Sequence, residues 1–162
     1  MSEMFADMPG SFPLGSLLLG TFSIALFGFG YIGLSAWMSA YSTAAAVIML
    51  ISAVIYIVPI TAHHVLFAAV EWMYIRLGRT AAREAVLDLQ KKTIAPMYVG
   101  YAGLLAFVVT LFVTVVTGVT PLPAWACVFN TVTAMILLLP TKLPAKGNIA
   151  GAAMFLGLIF MV

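Results

Sequence analysis

Long apolar stretches alternate with short polar connectors along the whole chain. An α-helix needs about 20 apolar residues to cross a hydrocarbon core about 30 Å thick. On this measure we predict an all-α fold, a polytopic transmembrane helical bundle that forms a single domain over residues 1–162. It has five apolar spans, at residues 13–38, 44–75, 97–117, 124–139 and 148–162.

The second span, residues 44–75, is longer than one crossing requires, about 48 Å as a straight helix. It tilts, bends or extends beyond the hydrocarbon. Pro59 lacks a backbone N–H and clashes with the preceding turn, so we predict a bend between Tyr56 and Pro59.

The connector over residues 78–92 is polar with a helical pattern. Thr80 is a candidate N-cap, and four apolar side chains share one face: Ala82, Ala85, Val86 and Leu89. We predict a short amphipathic helix lying on the membrane surface.

Positive charge is confined to two connectors. Residues 76–92 contain Arg76, Arg79, Arg83, Lys91 and Lys92, and residues 141–147 contain Lys142 and Lys146. With the N-terminus in the cytoplasm, five crossings bring both connectors to the cytoplasmic side, as the positive-inside rule expects. Because the basic residues lie between apolar spans, they indicate membrane lipids as partners, with no nucleic acid. We predict a multi-pass protein of the cell membrane, the inner membrane of a bacterium.

The last apolar stretch, residues 148–162, is only about 22 Å long as a helix and has no polar flank after it. We expect the sequence to be cut short, with a sixth span or further segment missing; a re-entrant segment is the alternative.

Composition excludes an ordinary soluble domain. The chain is 64% hydrophobic and 7% charged, with a mean hydropathy of +1.17, whereas soluble domains are about 45–50% apolar and about 25% charged. Cys127 is the only cysteine, so no intrachain disulfide forms.

Three ionisable residues near the end of the second span are the candidate catalytic residues: His63, His64 and Glu71. Burying a charge in hydrocarbon costs at least about 2.5 kcal/mol, so an ionisable residue at depth indicates function. His64 and Glu71 are seven residues apart and share a helix face. Tyr56 lies seven residues before His63, which predicts one polar seam. A histidine and a carboxylate on one face suit proton transfer.

An interfacial role is the alternative for these residues. Both histidines then lie at the cytoplasmic surface, and Glu71 pairs with Arg76 or with the helix of the connector.

Candidate ligand-binding residues are Tyr56, Trp72 and Asn130. We predict no metal and no cofactor, because adjacent histidines on a helix diverge and there is no third histidine for a second haem ligand.

The run PLPAW, then Asn130, then LLLPTKLPAKGNIAG resembles the C-terminal pattern of a family of small multi-pass bacterial membrane proteins with no assigned function. In that family a Pro-Trp pair opens one span, and a Pro-Gly connector leads to a last span that begins with Asn. The resemblance implies a multi-pass bundle and no particular activity.

Three functions compete at this point. The first is a bundle whose internal cavity binds a lipid-like or small apolar molecule, with proton-transfer chemistry of the isomerase or cyclase type at Glu71 and His64. The second is an accessory or assembly subunit without catalysis, which packs against a larger membrane complex. The third is a homo-oligomeric transporter of a small solute. Whether the protein is an enzyme stays open.

Overall fold

The computed structural model describes residues 7–79, 83–143 and 146–161, and every regular element in these ranges is helical. The six α-helices are α1 (Ser11–Met38), α2 (Thr43–Arg76), α3 (Arg83–Lys92), α4 (Ala95–Val116), α5 (Thr131–Leu138) and α6 (Lys146–Ile159). A short 3-10 helix, Ala124–Val128, precedes α5. The predicted all-α fold is confirmed.

Among the described residues, three helical stretches are long and apolar enough to cross a membrane: α1, α2 and the stretch Arg83–Val116, which contains α3 and α4. Both ends of α1, α2 and α4 lie within two residues of the first three predicted spans. The helix α2 continues through Pro59, and the bend at this residue stays a prediction.

The predicted fourth span, residues 124–139, is not one continuous helix. The 3-10 helix ends at Val128, and Asn130 is extended with φ −135° and ψ 142°. The Asn130 side chain accepts a hydrogen bond from the Val132 N–H at 2.9 Å, so it caps a new helix instead of continuing the old one. That helix, α5, has 8 residues, a length of about 12 Å.

The predicted fifth span corresponds to α6, which has 14 residues, about 21 Å. Like α5, it is shorter than the roughly 20 residues that one crossing requires. Helix length therefore supports three spans, and the count of five has no support from it.

Residues 78 and 79, at the start of the predicted connector, form a left-handed turn that ends α2. Gly78 has φ 77° and Arg79 has φ 64°. The Arg79 N–H donates to the Tyr74 carbonyl at 3.0 Å, and the Gly78 N–H to the Ile75 carbonyl at 3.2 Å. This is a Schellman motif, in which glycine takes the positive φ without steric cost. The predicted N-cap Thr80, together with Ala82, lies outside the described residues.

The chain divides into two compact units. The first contains residues 1–26 and 56–101, and the second contains residues 27–55 and 102–162. Each of the long helices α1, α2 and α4 contributes to both. The prediction of a single domain is not tested by this division and stays a prediction.

In the first unit, α3 packs on the C-terminal part of α2. Val86 is buried in a cluster with Val70, Tyr74 and Ile75, and Met8 covers its edge. Ala85 and Leu89, on the apolar face predicted for this helix, are exposed. The apolar face of α3 is therefore partly used for packing against protein, while Ala85 and Leu89 remain open to the surroundings.

In the second unit, an aromatic cluster joins α1, α4 and α6. The Tyr31 ring makes edge contacts with Phe107, at 4.9 Å between ring centroids, and with Phe155, at 5.0 Å. Phe27 and Phe155 stack at 6.0 Å. The Thr131 hydroxyl donates to the Met154 sulfur at 3.3 Å, which ties α5 to α6. Mostly apolar packing with an occasional hydrogen bond between helices is typical of helices that associate in a membrane.

Candidate functional site

His64 lies on α2 and contacts the backbone of α1. Its Nε2 atom is 2.9 Å from the Ser16 carbonyl oxygen. A carbonyl oxygen only accepts hydrogen bonds, so Nε2 has to bear the proton and donate. In the neutral ring the other nitrogen, Nδ1, is then a hydrogen-bond acceptor.

Gly20, one turn after Ser16 on α1, makes this contact possible. The His64 ring occupies the position where any other residue at this site would place its Cβ atom. The hydrogen bond from His64 to α1 therefore requires glycine at position 20.

His63 contacts a different segment. Its Nδ1 atom is 3.4 Å from the Thr93 carbonyl oxygen, in the turn between α3 and α4, which is long for a hydrogen bond. Its ring is also 5.1 Å from the Phe67 ring. The two histidines thus diverge from α2 toward separate partners. Among the described residues, no group of three or more His, Cys, Asp or Glu side chains is placed to hold a metal ion.

Glu71 is half-buried and lies two turns beyond His64 on α2, a rise of about 10 Å. Within residues 7–79, 83–143 and 146–161, the Glu71 carboxylate has no hydrogen-bond or ion-pair partner, and the ion pair found there joins Lys92 to Asp88 at 2.7 Å.

The Arg76 guanidinium does not pair with Glu71. It lies 5.9 Å from the centre of the Trp72 ring, a distance at which a cation and an aromatic face attract each other. The guanidinium of Arg79 donates to the Met8 carbonyl at 2.9 Å. The predicted interfacial pairing of Glu71 with Arg76 is thus not formed in the structure.

The histidines and Glu71 lie toward the end of α2 where the basic connector begins. His63 contacts Thr93, which directly follows Lys91 and Lys92. Gly10, just before α1, is in van der Waals range of the Ile75 and Arg76 side chains, at 3.7 and 3.9 Å from an ideal Cβ. Glu71 is five residues before Arg76, about 7.5 Å along the helix.

Tyr56 belongs to the same unit but lies nearer the N-terminal end of α2. It is 15 positions from Glu71, a rise of about 22 Å, so the two side chains do not share one small site. Tyr56 is half-buried. Gly100 lets α4 approach here, because an ideal Cβ at this residue would lie 3.2 Å from the Tyr56 carbonyl oxygen and 2.5 Å from Ile60 Cγ1.

Asn130 belongs to the other unit and is 5% exposed. Its side-chain oxygen caps α5, and its Nδ2 atom donates to the Val108 carbonyl of α4 at 3.0 Å. Both ends of the amide are thus engaged with backbone. A ligand would have to compete with these two hydrogen bonds. A ligand-binding role for Asn130 stays a prediction.

A model of a family of unknown function (DUF6796) matches residues 1–162. The chain belongs to this family. No curated protein and no solved structure matches it. The expected membership in a family without assigned function is confirmed, whereas the bacterial origin and the C-terminal pattern stay predictions.

Sequence analysis missed the partners of the histidines. The Ser16 and Thr93 groups that bind them are backbone carbonyls, which every residue has, so no residue type marks them. Gly20 was the available signal, because small residues let apolar helices approach closely. Glycine alone does not select the position, since an ideal Cβ at Gly15 or Gly33 on the same helix has no atom within 4 Å. The sequence does not show which side chain makes that approach.

Proposed function

We propose that this protein is a multi-pass membrane protein that binds a lipid-like or small apolar molecule beside the C-terminal part of α2, with Glu71 and His64 as its polar contacts and Trp72 beside them. The observation that supports this most is the half-buried Glu71 carboxylate, which has no bonding partner among the described residues. Ligand sites are mostly apolar with a few placed polar groups.

The free energy needed to desolvate the Glu71 carboxylate favours a ligand with a polar head beside it. Glu71 is only half-buried, but a bound molecule or lipid that covers its carboxylate removes it from water. The cost of that step is usually offset by an ion pair or hydrogen bonds. Since Arg76 lies over Trp72 and Arg79 binds the Met8 carbonyl, a bound molecule with a polar head is a natural source of the missing interaction.

The same two groups suit proton transfer, which extends the proposal to chemistry of the isomerase or cyclase type. Glu71 is then the acid or base. His64 is its partner, because its Nδ1 atom, an acceptor when Nε2 donates to Ser16, can take up a proton and return it. His63 contacts the Thr93 carbonyl instead, so we assign it a supporting role beside Glu71 and His64.

We propose that the N-terminus and the connector over residues 76–92 face the cytoplasm of a bacterium, with the protein in the inner membrane. Five crossings then require residues 124–139 to cross as an interrupted span. Interruptions are tolerated in membranes where neighbouring groups satisfy the free backbone, and the Asn130 side chain does this for the Val132 N–H at the start of α5.

Native mass spectrometry of protein released from gentle detergent tests the binding proposal. We expect wild type to retain a defined extra mass and Glu71→Gln to lose it. Glu84→Gln is the matched control, since Glu84 is exposed on α3 and the charge change is the same. Equal retention in all three proteins refutes a role for Glu71. A bare chain that is found only with unrelated proteins favours the accessory-subunit alternative.

A further inference from the structure

The polar groups beside α2 have a common hydrogen-bonding character. The Glu71 carboxylate only accepts hydrogen bonds, and His64 Nδ1 accepts because Nε2 donates to the Ser16 carbonyl. In the described part of the chain no donor lies within bonding distance of Glu71. A complementary ligand therefore has to supply N–H or O–H donors.

Charge narrows the choice of donor. The carboxylate and the acceptor nitrogen together favour a positively charged donor, and charge-assisted hydrogen bonds are about twice as strong as neutral ones. A primary ammonium has three N–H donors, whereas a quaternary ammonium has the same charge and none. A hydroxyl donates but has no charge.

A cation lies five residues farther along the same helix, about 7.5 Å along its axis and on a different face from Glu71. Arg76 is exposed, and its guanidinium lies over the Trp72 ring. This end of α2 is also followed by the basic connector. A phosphate beside Arg76 and an ammonium beside Glu71 would each meet the opposite charge, and both groups occur together in a zwitterionic headgroup.

We propose that the ligand at Glu71 and His64 is a phospholipid whose zwitterionic headgroup bears a primary ammonium, with the ammonium at Glu71 and the phosphate at Arg76. This inference rests on the proposed function, because it assigns a chemical class to the molecule bound there.

The test is competition between three phospholipids with identical acyl chains, exchanged into the detergent-solubilised protein and counted by native mass spectrometry. The phosphatidylethanolamine has a primary ammonium, the phosphatidylcholine a quaternary one, and the phosphatidylglycerol none. We expect wild type to prefer the ethanolamine lipid over the choline lipid by at least about tenfold, because one charge-assisted hydrogen bond corresponds to about that factor.

Three variants separate the contributions. Glu71→Gln is expected to abolish the preference, and Glu84→Gln to keep it. Arg76→Gln is expected to lower retention of the ethanolamine and choline lipids by the same factor and to leave their ratio unchanged, since both contain the phosphate.

Free ethanolamine distinguishes the source of the ammonium. Displacement of the lipid by ethanolamine at millimolar concentration shows a soluble amine as the ligand and overturns the phospholipid assignment. Equal retention of all three lipids by wild type overturns the ammonium assignment while the binding of an amphiphile stands. Retention of no lipid and no other mass overturns the proposed function as well.

Discussion

The imidazole of His64 fills the space beside Gly20 in which any other residue would place its Cβ atom, and its Nε2 donates to the Ser16 carbonyl at 2.9 Å. One glycine and one histidine, 44 positions apart, thereby define how closely α1 and α2 approach in the first unit. Small residues let helices approach closely, and helix association in membranes depends on such packing together with interhelical hydrogen bonds, because lipid is as apolar as the side chains.

Gly20→Ala is expected to destabilise the protein by about 1–3 kcal/mol, because the new methyl group displaces the His64 ring and breaks its hydrogen bond. Gly15→Ala is the matched control on the same helix, since an ideal Cβ there has no atom within 4 Å. This control should be neutral or stabilising by up to about 1 kcal/mol. Thermal unfolding in detergent measures both.

A second comparison tests whether the histidine is the cause. In a His64→Ala background the ring is gone, so Gly20→Ala should cost little further stability. Equal costs of Gly20→Ala in the two backgrounds would contradict the assigned contact.

Gly30→Ala is expected to destabilise the second unit by about 1–3 kcal/mol. An ideal Cβ at Gly30 lies 2.8 Å from the Phe155 ring, and that ring packs against Tyr31 and Phe27, so it has little room to move. Gly33→Ala, where the Cβ has open space, should leave the unfolding temperature nearly unchanged. In a Phe155→Leu background the difference between the two alanine variants should shrink; an undiminished difference would place the clash elsewhere.

Asn130→Ala should lower the free energy of unfolding by about 2–3 kcal/mol, because it removes both the cap of α5 and a buried hydrogen bond to α4. Asn130→Ser retains a capping oxygen and loses the donor to Val108, so an intermediate loss is expected. Hydrogen exchange at the amides of residues 131–134 reports the cap directly. Fast exchange in the alanine variant with near-native protection in the serine variant is the predicted pattern.

Single-cysteine labelling determines whether residues 124–139 cross the membrane. In a Cys127→Ala background, an impermeant thiol reagent is added to right-side-out and inside-out vesicles. Lys91→Cys and Val119→Cys, both at exposed positions, give the reference for the two sides. We expect Lys142→Cys to label with Lys91→Cys, because positively charged connectors remain in the cytoplasm. Labelling with Val119→Cys would exclude five crossings.

The first three spans were predictable because hydrocarbon thickness imposes a length of apolar sequence, and α1, α2 and α4 satisfy it within two residues at each end. The fourth was not, because residues 124–139 are as apolar as a span. Hydropathy does not reveal that the Asn130 side chain caps a new helix at Val132 while its amide reaches Val108.

The candidate site divides in the same way. Residue type and helical spacing were enough to select His64 and Glu71, since ionisable groups are rare in apolar helices and residues seven apart share a face. The tertiary structure decided that His64 donates to Ser16 beside Gly20. It also decided that His63 turns toward Thr93, and that Arg76 lies over Trp72 and does not pair with Glu71. Such contacts depend on backbone carbonyls and on the approach of distant helices, and neither has a signature in the local sequence.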